Sequence, residues 1–264
     1  MLNVQDLRLT FNPGTPIETQ ALRGMSLEIP TGQFVTVIGS NGAGKSTFLN
    51  AVSGEQKVDS GRIEIDGIDM TRQPVWARAR HVARVFQDPL AGTCEDLTIE
   101  ENMALASMRG ERRGFSFAVK PALREEFRAQ LSTLGLGLEN RLSDRIGLLS
   151  GGQRQAVSLL MAALRPSRLL LLDEHTAALD PRTAAFVLEL TVRIVAEHKL
   201  TTMMVTHSMR QALDVGQRTV MLHQGRVVLD VAGEEREGLD VHHLLAMFEK
   251  VRGEEIDDDK LLLS

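Results

Sequence analysis

"FVTVIGSNGAGKST", Phe34–Thr47, decides the fold of this chain. Its first five residues are a short apolar, β-branched run, the pattern of a strand buried on both faces. The last nine match G-x-x-x-x-G-K-[ST] at every fixed position. Gly39, Ser40, Asn41, Gly42, Ala43, Gly44, Lys45, Ser46 and Thr47 are therefore the candidate phosphate cradle. The glycines let backbone N–H groups converge on an anion, and the helix expected to follow, through Ser53, adds the positive end of its dipole. Lys45 is expected to reach β- and γ-phosphates. The Ser46 hydroxyl is a candidate ligand for Mg2+, which takes few protein groups and keeps several waters.

Outward from this stretch, two more apolar runs end in polar residues, "RLLLLDE" and "TTMMVTH". The first thirty residues read as short alternating strands around "NPGTP", and "GRIEIDGIDM" and "TVMLHQGRVVLD" read as hairpins turning at Asp66-Gly67 and Gln224-Gly225. From about Asp88 to Ser150, β-branched runs give way to helix formers and charges, as in "PALREEFRAQLSTLG". Strands separated by helices, with this helical insertion, predict a largely parallel sheet with phosphate chemistry at its C-terminal edge. At the end of "RLLLLDE", Asp173 is placed to hold a Mg2+ shell through water, and Glu174 to polarise an attacking water as general base.

Composition narrows the classes. Of 264 residues, 43% are hydrophobic and 25% charged, which is ordinary for a globular chain. The net charge of −5 argues against nucleic-acid binding. A single cysteine, Cys94, excludes an internal disulfide and reads as a small core residue. No basic start with an apolar run marks a signal peptide, and no run approaches the ~20 residues of a membrane span, so membrane business is expected to pass through a partner.

"LSGGQRQ", Leu149–Gln155, poses a separate question: it is a second glycine turn without a lysine. Together with "GSNGAGKST" before it and "LLLLDE" after it, it makes the chain resemble the ATP-binding subunit of an ABC transporter over nearly its whole length. The resemblance implies an α/β fold: a P-loop NTPase core, RecA-like, with an N-terminal antiparallel β subdomain and an inserted α-helical subdomain. It divides a single nucleotide-binding domain, 1–264, into a catalytic core (1–87 and 151–264), a helical subdomain (88–150) and an acidic tail (250–264). The implied cofactors are ATP and Mg2+. Gln87, in "VFQDP", matches the loop glutamine that touches Mg2+ and senses the γ-phosphate. His207, in "VTHS", matches the switch histidine. Phe11 is expected to stack on adenine, a core role being the competing reading. Leu149, Ser150, Gly151, Gly152 and Gln153 are implied to hold the ATP of an opposite subunit in a two-fold head-to-tail dimer, with Asp180 of "AALDP" facing that subunit.

Some positions depart from the family or stand outside its motifs. His175 occupies a place usually held by proline; packing and tuning of Glu174 are both open roles. Arg109, Arg112, Arg113, Lys120, Arg124 and Arg128 read first as a solvated basic face. The tail, with five acids between Glu254 and Asp259, reads as surface, with Leu261–Leu263 as a packing element. The leading functional reading is an ATP-hydrolysing importer subunit, a homodimer or a pair with a similar subunit. It is expected to sit in the cytoplasm on the inner face of the membrane, under integral permease subunits that a solute-binding protein serves. The alternatives are a soluble ATPase of an iron–sulfur-cluster scaffold, or a split exporter or lipid-transport ATPase.

Overall fold

The computed structural model of the chain describes residues 1–111 and 119–250. Among them the strands are β1 (Leu2–Phe11), β2 (Thr19–Ile29), β3 (Phe34–Gly39), β4 (Ser60–Ile65), β5 (Ile68–Asp69), β6 (Val82–Val85), β7 (Leu169–Asp173), β8 (Thr202–Val205), β9 (Arg218–His223) and β10 (Arg226–Ala232). The helices are α1 (Lys45–Ser53), α2 (Val75–Arg78), α3 (Ile99–Ser107), α4 (Pro121–Ser132), α5 (Gly151–Ala163), α6 (Pro181–His198), α7 (Met209–Asp214) and α8 (Gly233–Glu237).

One sheet has the order β10-β9-β3-β8-β7-β6; its pairs are parallel except β10 with β9. A second, antiparallel sheet has the order β2-β1-β4-β5. The fold is thus the expected α/β arrangement of a largely parallel sheet, an antiparallel sheet and helices. The period of two in the central strands explains how the layers meet. Phe34, Val85, Leu170, Leu172 and Met204 face a core shared with α3, α4, α5 and α6. Val35, Val37, Leu169, Leu171, Met203 and Val205 face the other way, onto α1 and the antiparallel sheet. Each strand is covered on both sides, which is why its sequence reads as a continuous apolar run. A smaller cluster seats Leu244 of the helical segment 241–250 against Ile38 and Met221.

Both expected hairpins form. Asp66 and Gly67 have φ of 49° and 76°, and Gln224 and Gly225 have 42° and 76°, the paired positive φ of a tight two-residue turn. The described residues between 88 and 150 hold α3, α4 and two 3-10 turns, Leu138–Asn140 and Ile146–Leu148. α3 starts on a capping box, with Thr98 accepting from Glu101 N–H and Glu101 returning the bond.

Three features differ from the sequence reading. Cys94 is exposed rather than in the core; Asn102 holds its backbone N–H from below, at 2.8 Å, in a loop whose apolar residues are few. Arg109 is not on a solvated face: it donates to the carbonyls of Ala162 (3.2 Å) and Arg165 (2.9 Å) at the C-terminal end of α5. Carbonyls left open at a helix end attract a cation. β6 escapes a hydropathy reading because Arg84 interrupts its apolar run. Arg112, Arg113, the tail acids Glu254–Asp259 and Leu261–Leu263 lie outside the described residues.

Candidate functional site

β3 delivers Gly39 to the C-terminal edge of the parallel sheet, and α1 begins at Lys45. Backbone crowding makes glycine necessary at two points of the turn. Gly39 has φ of 154°, and a Cβ there would overlap the Leu222 carbonyl oxygen. Gly44 has φ of 96°, and its Cβ would stand 2.6 Å from the Ala21 carbonyl oxygen. The turn is thereby locked between β9 and β2. Gly44 is the N-cap of α1 and supplies no side-chain bond, so the first-turn N–H groups keep their donors for an external acceptor. This uncapped helix start fits a phosphate. Lys45 Nζ donates to the carbonyls of Gly39 (2.8 Å) and Ser40 (3.1 Å), folded over the loop it would serve. Burial lowers the lysine pKa, and the nearby Glu174 and Asp173 carboxylates oppose that shift.

Asp173 ends β7, and Glu174 follows it with φ of 44°, a left-handed conformation unusual for a side chain with a Cβ. The Glu174 amide donates to the Val205 carbonyl at 3.0 Å, and its carbonyl accepts from Ala177 N–H at 2.9 Å. These bonds turn the chain sharply off the strand. Glu174 Oε2 lies 3.5 Å from Nδ1 of His207, just beyond β8. Lys45, Asp173, Glu174 and His207 thus converge on one edge. Ser46 and Gln87 are exposed there, on α1 and in the loop after β6. No group of three or more His, Cys, Asp or Glu side chains capable of holding a metal occurs among the described residues. Mg2+ fits such a donor set: a hydroxyl, an amide oxygen and one water-linked carboxylate complete their shell with substrate oxygens and water.

Sequence reasoning missed Arg84. Its Nη2 donates to Asp173 Oδ2 at 2.6 Å, and its Nη1 to Asn50 Oδ1 at 2.7 Å. The available signal is a lone cation in a four-residue strand, one residue from its C-terminal end.

His175 is fully buried, and burial pushes its pKa down to about 4. Thr191 Oγ1 spends its proton on the Val187 carbonyl, at 2.8 Å, so it accepts from His175 Nε2–H at 2.9 Å. The imidazole is neutral and ties the Glu174 turn to α6, which is the packing role.

The second glycine turn differs from the first. Ser150 caps α5, accepting from Gln153 N–H (3.3 Å) while Gln153 Oε1 accepts from Ser150 N–H (3.2 Å). Leu149 is buried below it. Gly152 packs on Thr183, and Gly151 faces Leu179. Asp180 caps α6 by accepting from Thr183 N–H at 3.1 Å. The second glycine turn and Asp180 therefore lie side by side. Phe11 ends β1, paired with Thr19, and is 36% exposed, open enough to offer a ring face. A groove of ≈ 1080 Å³ borders the loop beyond Gln87, lined among others by Trp76, Phe86, Cys94, Leu105 and Ser158. Trp76 is 77% exposed, and the buried Ser158 hydroxyl has no partner.

The sequence profile described as ABC transporter matches residues 22–177. A tyrosine transport ATP-binding protein of Clostridioides difficile is 44% identical over 254 residues, 94% of this chain and 99% of the relative. An aliphatic sulfonates import ATP-binding protein of Agrobacterium fabrum is 34% identical, covering 81% of this chain and 74% of its own length. Among solved structures, the dimeric post-hydrolysis state of the ATP-binding cassette MJ0796, bound to ADP and Pi, has a TM-score of 0.75 at 28% identity. That match covers 88% of this chain and 98% of the cassette.

Proposed function

Because the chain belongs to the ABC transporter family, as an ATP-binding and ATP-hydrolysing subunit, we propose that it powers uptake of an amino-acid-type or related organic solute through separate integral membrane permease subunits. The observation that carries this reading is the end-to-end similarity to a tyrosine transport ATP-binding protein, over 94% of this chain and 99% of the relative. No helix of the described residues is long and apolar enough to cross a membrane, which is consistent with a separate permease. The working place is then the cytoplasm, against the inner face of the cell membrane, with a solute-binding protein serving the same system.

In the proposed cycle, ATP lies on the uncapped start of α1, cradled by Gly39, Ser40, Asn41, Gly42, Ala43, Gly44 and Thr47, with Lys45 on its outer phosphates and Phe11 against the adenine. Ser46, Gln87 and, through water, Asp173 would hold Mg2+, which supplies charge neutralisation at the phosphate oxygens when bound. Glu174 takes the proton of the attacking water as its oxygen bonds to the γ-phosphorus and ADP leaves. His207 contacts the γ-phosphate oxygen. Two copies, or one copy and a similar subunit, close head to tail. Ser150, Gly151, Gly152 and Gln153 then reach the other copy's ATP, with Leu149 supporting the turn and Asp180 beside it. The adjacency of the α5 and α6 starts supports this, since it would offer a partner one continuous surface. ATP touches both subunits only in the closed state, so it favours closure by that difference, and hydrolysis removes it. The segment 88–150 carries the motion, and a cytoplasmic helix of the permease seats in the groove beside Trp76 and the Ser158 hydroxyl.

The test is affinity purification of the tagged chain from its native membranes in mild detergent, with mass spectrometry of stoichiometric partners. A multi-span permease supports the proposal. Recovery with soluble partners alone refutes transport and leaves the ATP chemistry intact.

A further inference from the structure

Arg84 is the single charged residue of β6, and its side chain is only 10% exposed. A buried cation needs partners to be tolerated, and both Nη atoms of Arg84 have them, while its buried Nε has none. Arg84 finds its partners in three directions. Nη2 pairs with Asp173 Oδ2 at 2.6 Å, at the end of the neighbouring strand β7. Nη1 reaches Asn50 Oδ1 at 2.7 Å and Glu55 Oε2 at 2.9 Å, on and just past the helix that the phosphate loop opens. The guanidinium carbon lies 4.6 Å from the Phe86 ring centroid, directly before Gln87. A planar fork cannot reorient toward one of these groups without releasing the others. Of its two carboxylate partners, Asp173 is the more buried, at 13% against 39% for Glu55, so the pairing to Asp173 is the less screened.

We propose that Arg84 is a positioning residue for hydrolysis: it holds one oxygen of Asp173 so that the other faces the Mg2+ shell, and it tempers the attraction of that carboxylate for the cation. The inference rests on the assignment of Asp173 to the Mg2+ shell. Two consequences pull in opposite directions and so separate this role from a purely architectural one. Without Arg84 the carboxylate loses its orientation, and turnover falls. Without Arg84 a positive charge beside the cation site is also gone, and Mg2+ enters more readily. A variant that merely loosens the fold weakens both.

The experiment uses the full chain with Arg84→Met, Arg84→Gln and Arg84→Lys. Turnover is measured at saturating ATP. Independently, a fluorescent nucleotide is titrated with Mg2+ to find the half-saturating concentration for binding. Arg84→Met is expected to lower turnover by roughly 10- to 100-fold, the range for losing a group that orients a metal-site ligand. It is expected to move half-saturation to Mg2+ concentrations lower by roughly two- to tenfold, as a nearby like charge is removed. Arg84→Lys keeps the charge but not the fork, so its Mg2+ dependence stays near the parent's while turnover drops. Where Arg84→Met fails to fold, Arg84→Gln, which retains a donor for Asn50, is read by the same two numbers. Unchanged turnover, or Mg2+ dependence unshifted or shifted upward in the neutral variants, overturns the inference. Asp173→Asn separates the two levels. If its Mg2+ dependence is unshifted, the assignment of Asp173 fails; if it shifts upward while the Arg84 variants do not move, only the role of Arg84 fails.

Discussion

Gly152→Ala tests whether the second glycine turn is a packing joint inside a single subunit. Gly152 is buried in the first turn of α5, facing Thr183 in the first turn of α6. A Cβ at position 152 would overlap the Thr183 methyl outright, with Thr183 Cβ at 3.5 Å and Oγ1 at 3.8 Å, both ordinary contacts. The offending atom is therefore one methyl, on a side chain whose backbone N–H is already fixed by Asp180. Overpacking of this kind costs about 1–3 kcal/mol, while alanine returns up to about 1 kcal/mol of helix propensity over glycine. The net expectation is a loss of roughly 1–2 kcal/mol, a fall in Tm of roughly 2–8 °C for a chain of this size. Thr183→Ser removes the methyl and keeps Oγ1, so in the double variant most of the loss should vanish, with a coupling energy of at least about 1 kcal/mol. Gly151→Ala is the control, since its Cβ meets only Leu179 Cδ2 at 3.5 Å. The assay is chemical and thermal denaturation of the nucleotide-free chain, where no partner's ATP enters. A Gly152→Ala chain as stable as the parent, or one that Thr183→Ser does not rescue, refutes the reasoning.

Three further outcomes follow from the same geometry. Glu174→Gln is expected to slow hydrolysis by roughly 10²- to 10⁴-fold while ATP binding persists, and unchanged turnover removes Glu174 from the role of base. Phe11→Ala should weaken ATP binding by roughly 2- to 12-fold with little change in maximal turnover, whereas Phe11→Tyr should bind as the parent; equilibrium nucleotide titration reads both. His175 is held neutral, with its pKa lowered from 6.5 to about 4 by burial. The unfolded chain therefore takes up this proton first on acidification, and its stabilising contribution, whole above pH 6.5, is lost toward pH 4. Across that window stability should fall by up to about 1.4 kcal/mol per pH unit more than in His175→Gln, as denaturant titrations at stepped pH would show; parallel curves would contradict it.

The local elements were legible from sequence because each rests on local physics. A Gly-rich turn between an apolar strand and a helix and the paired positive-φ hairpin turns specify themselves within a few residues. That is why Phe34–Gly39, α1, the turns at Gly67 and Gly225 and the strand end at Asp173 stand where the residues predict. The strands' double-sided burial could also be read from their unbroken apolar runs. What escaped was whatever depends on a neighbour distant in sequence. Cys94 is exposed because its loop is held by Asn102 on a rim, not in a core. Arg109 found open carbonyls 53 and 56 residues away. Arg84 reads as a flaw in a strand until β7 sets Asp173 beside it, 89 residues on. His175 reads first as a packing residue and second as a partner of Glu174, and Thr191, taking up its Nε2–H, identifies the packing contact. Short-range backbone preference and hydrophobic period are properties of a segment, and sequence alone determined them here. The pairing of buried charges and polar atoms is a property of what the fold brings together, because a desolvated group takes whichever partner lies within about 3 Å, and only the tertiary structure chooses that partner.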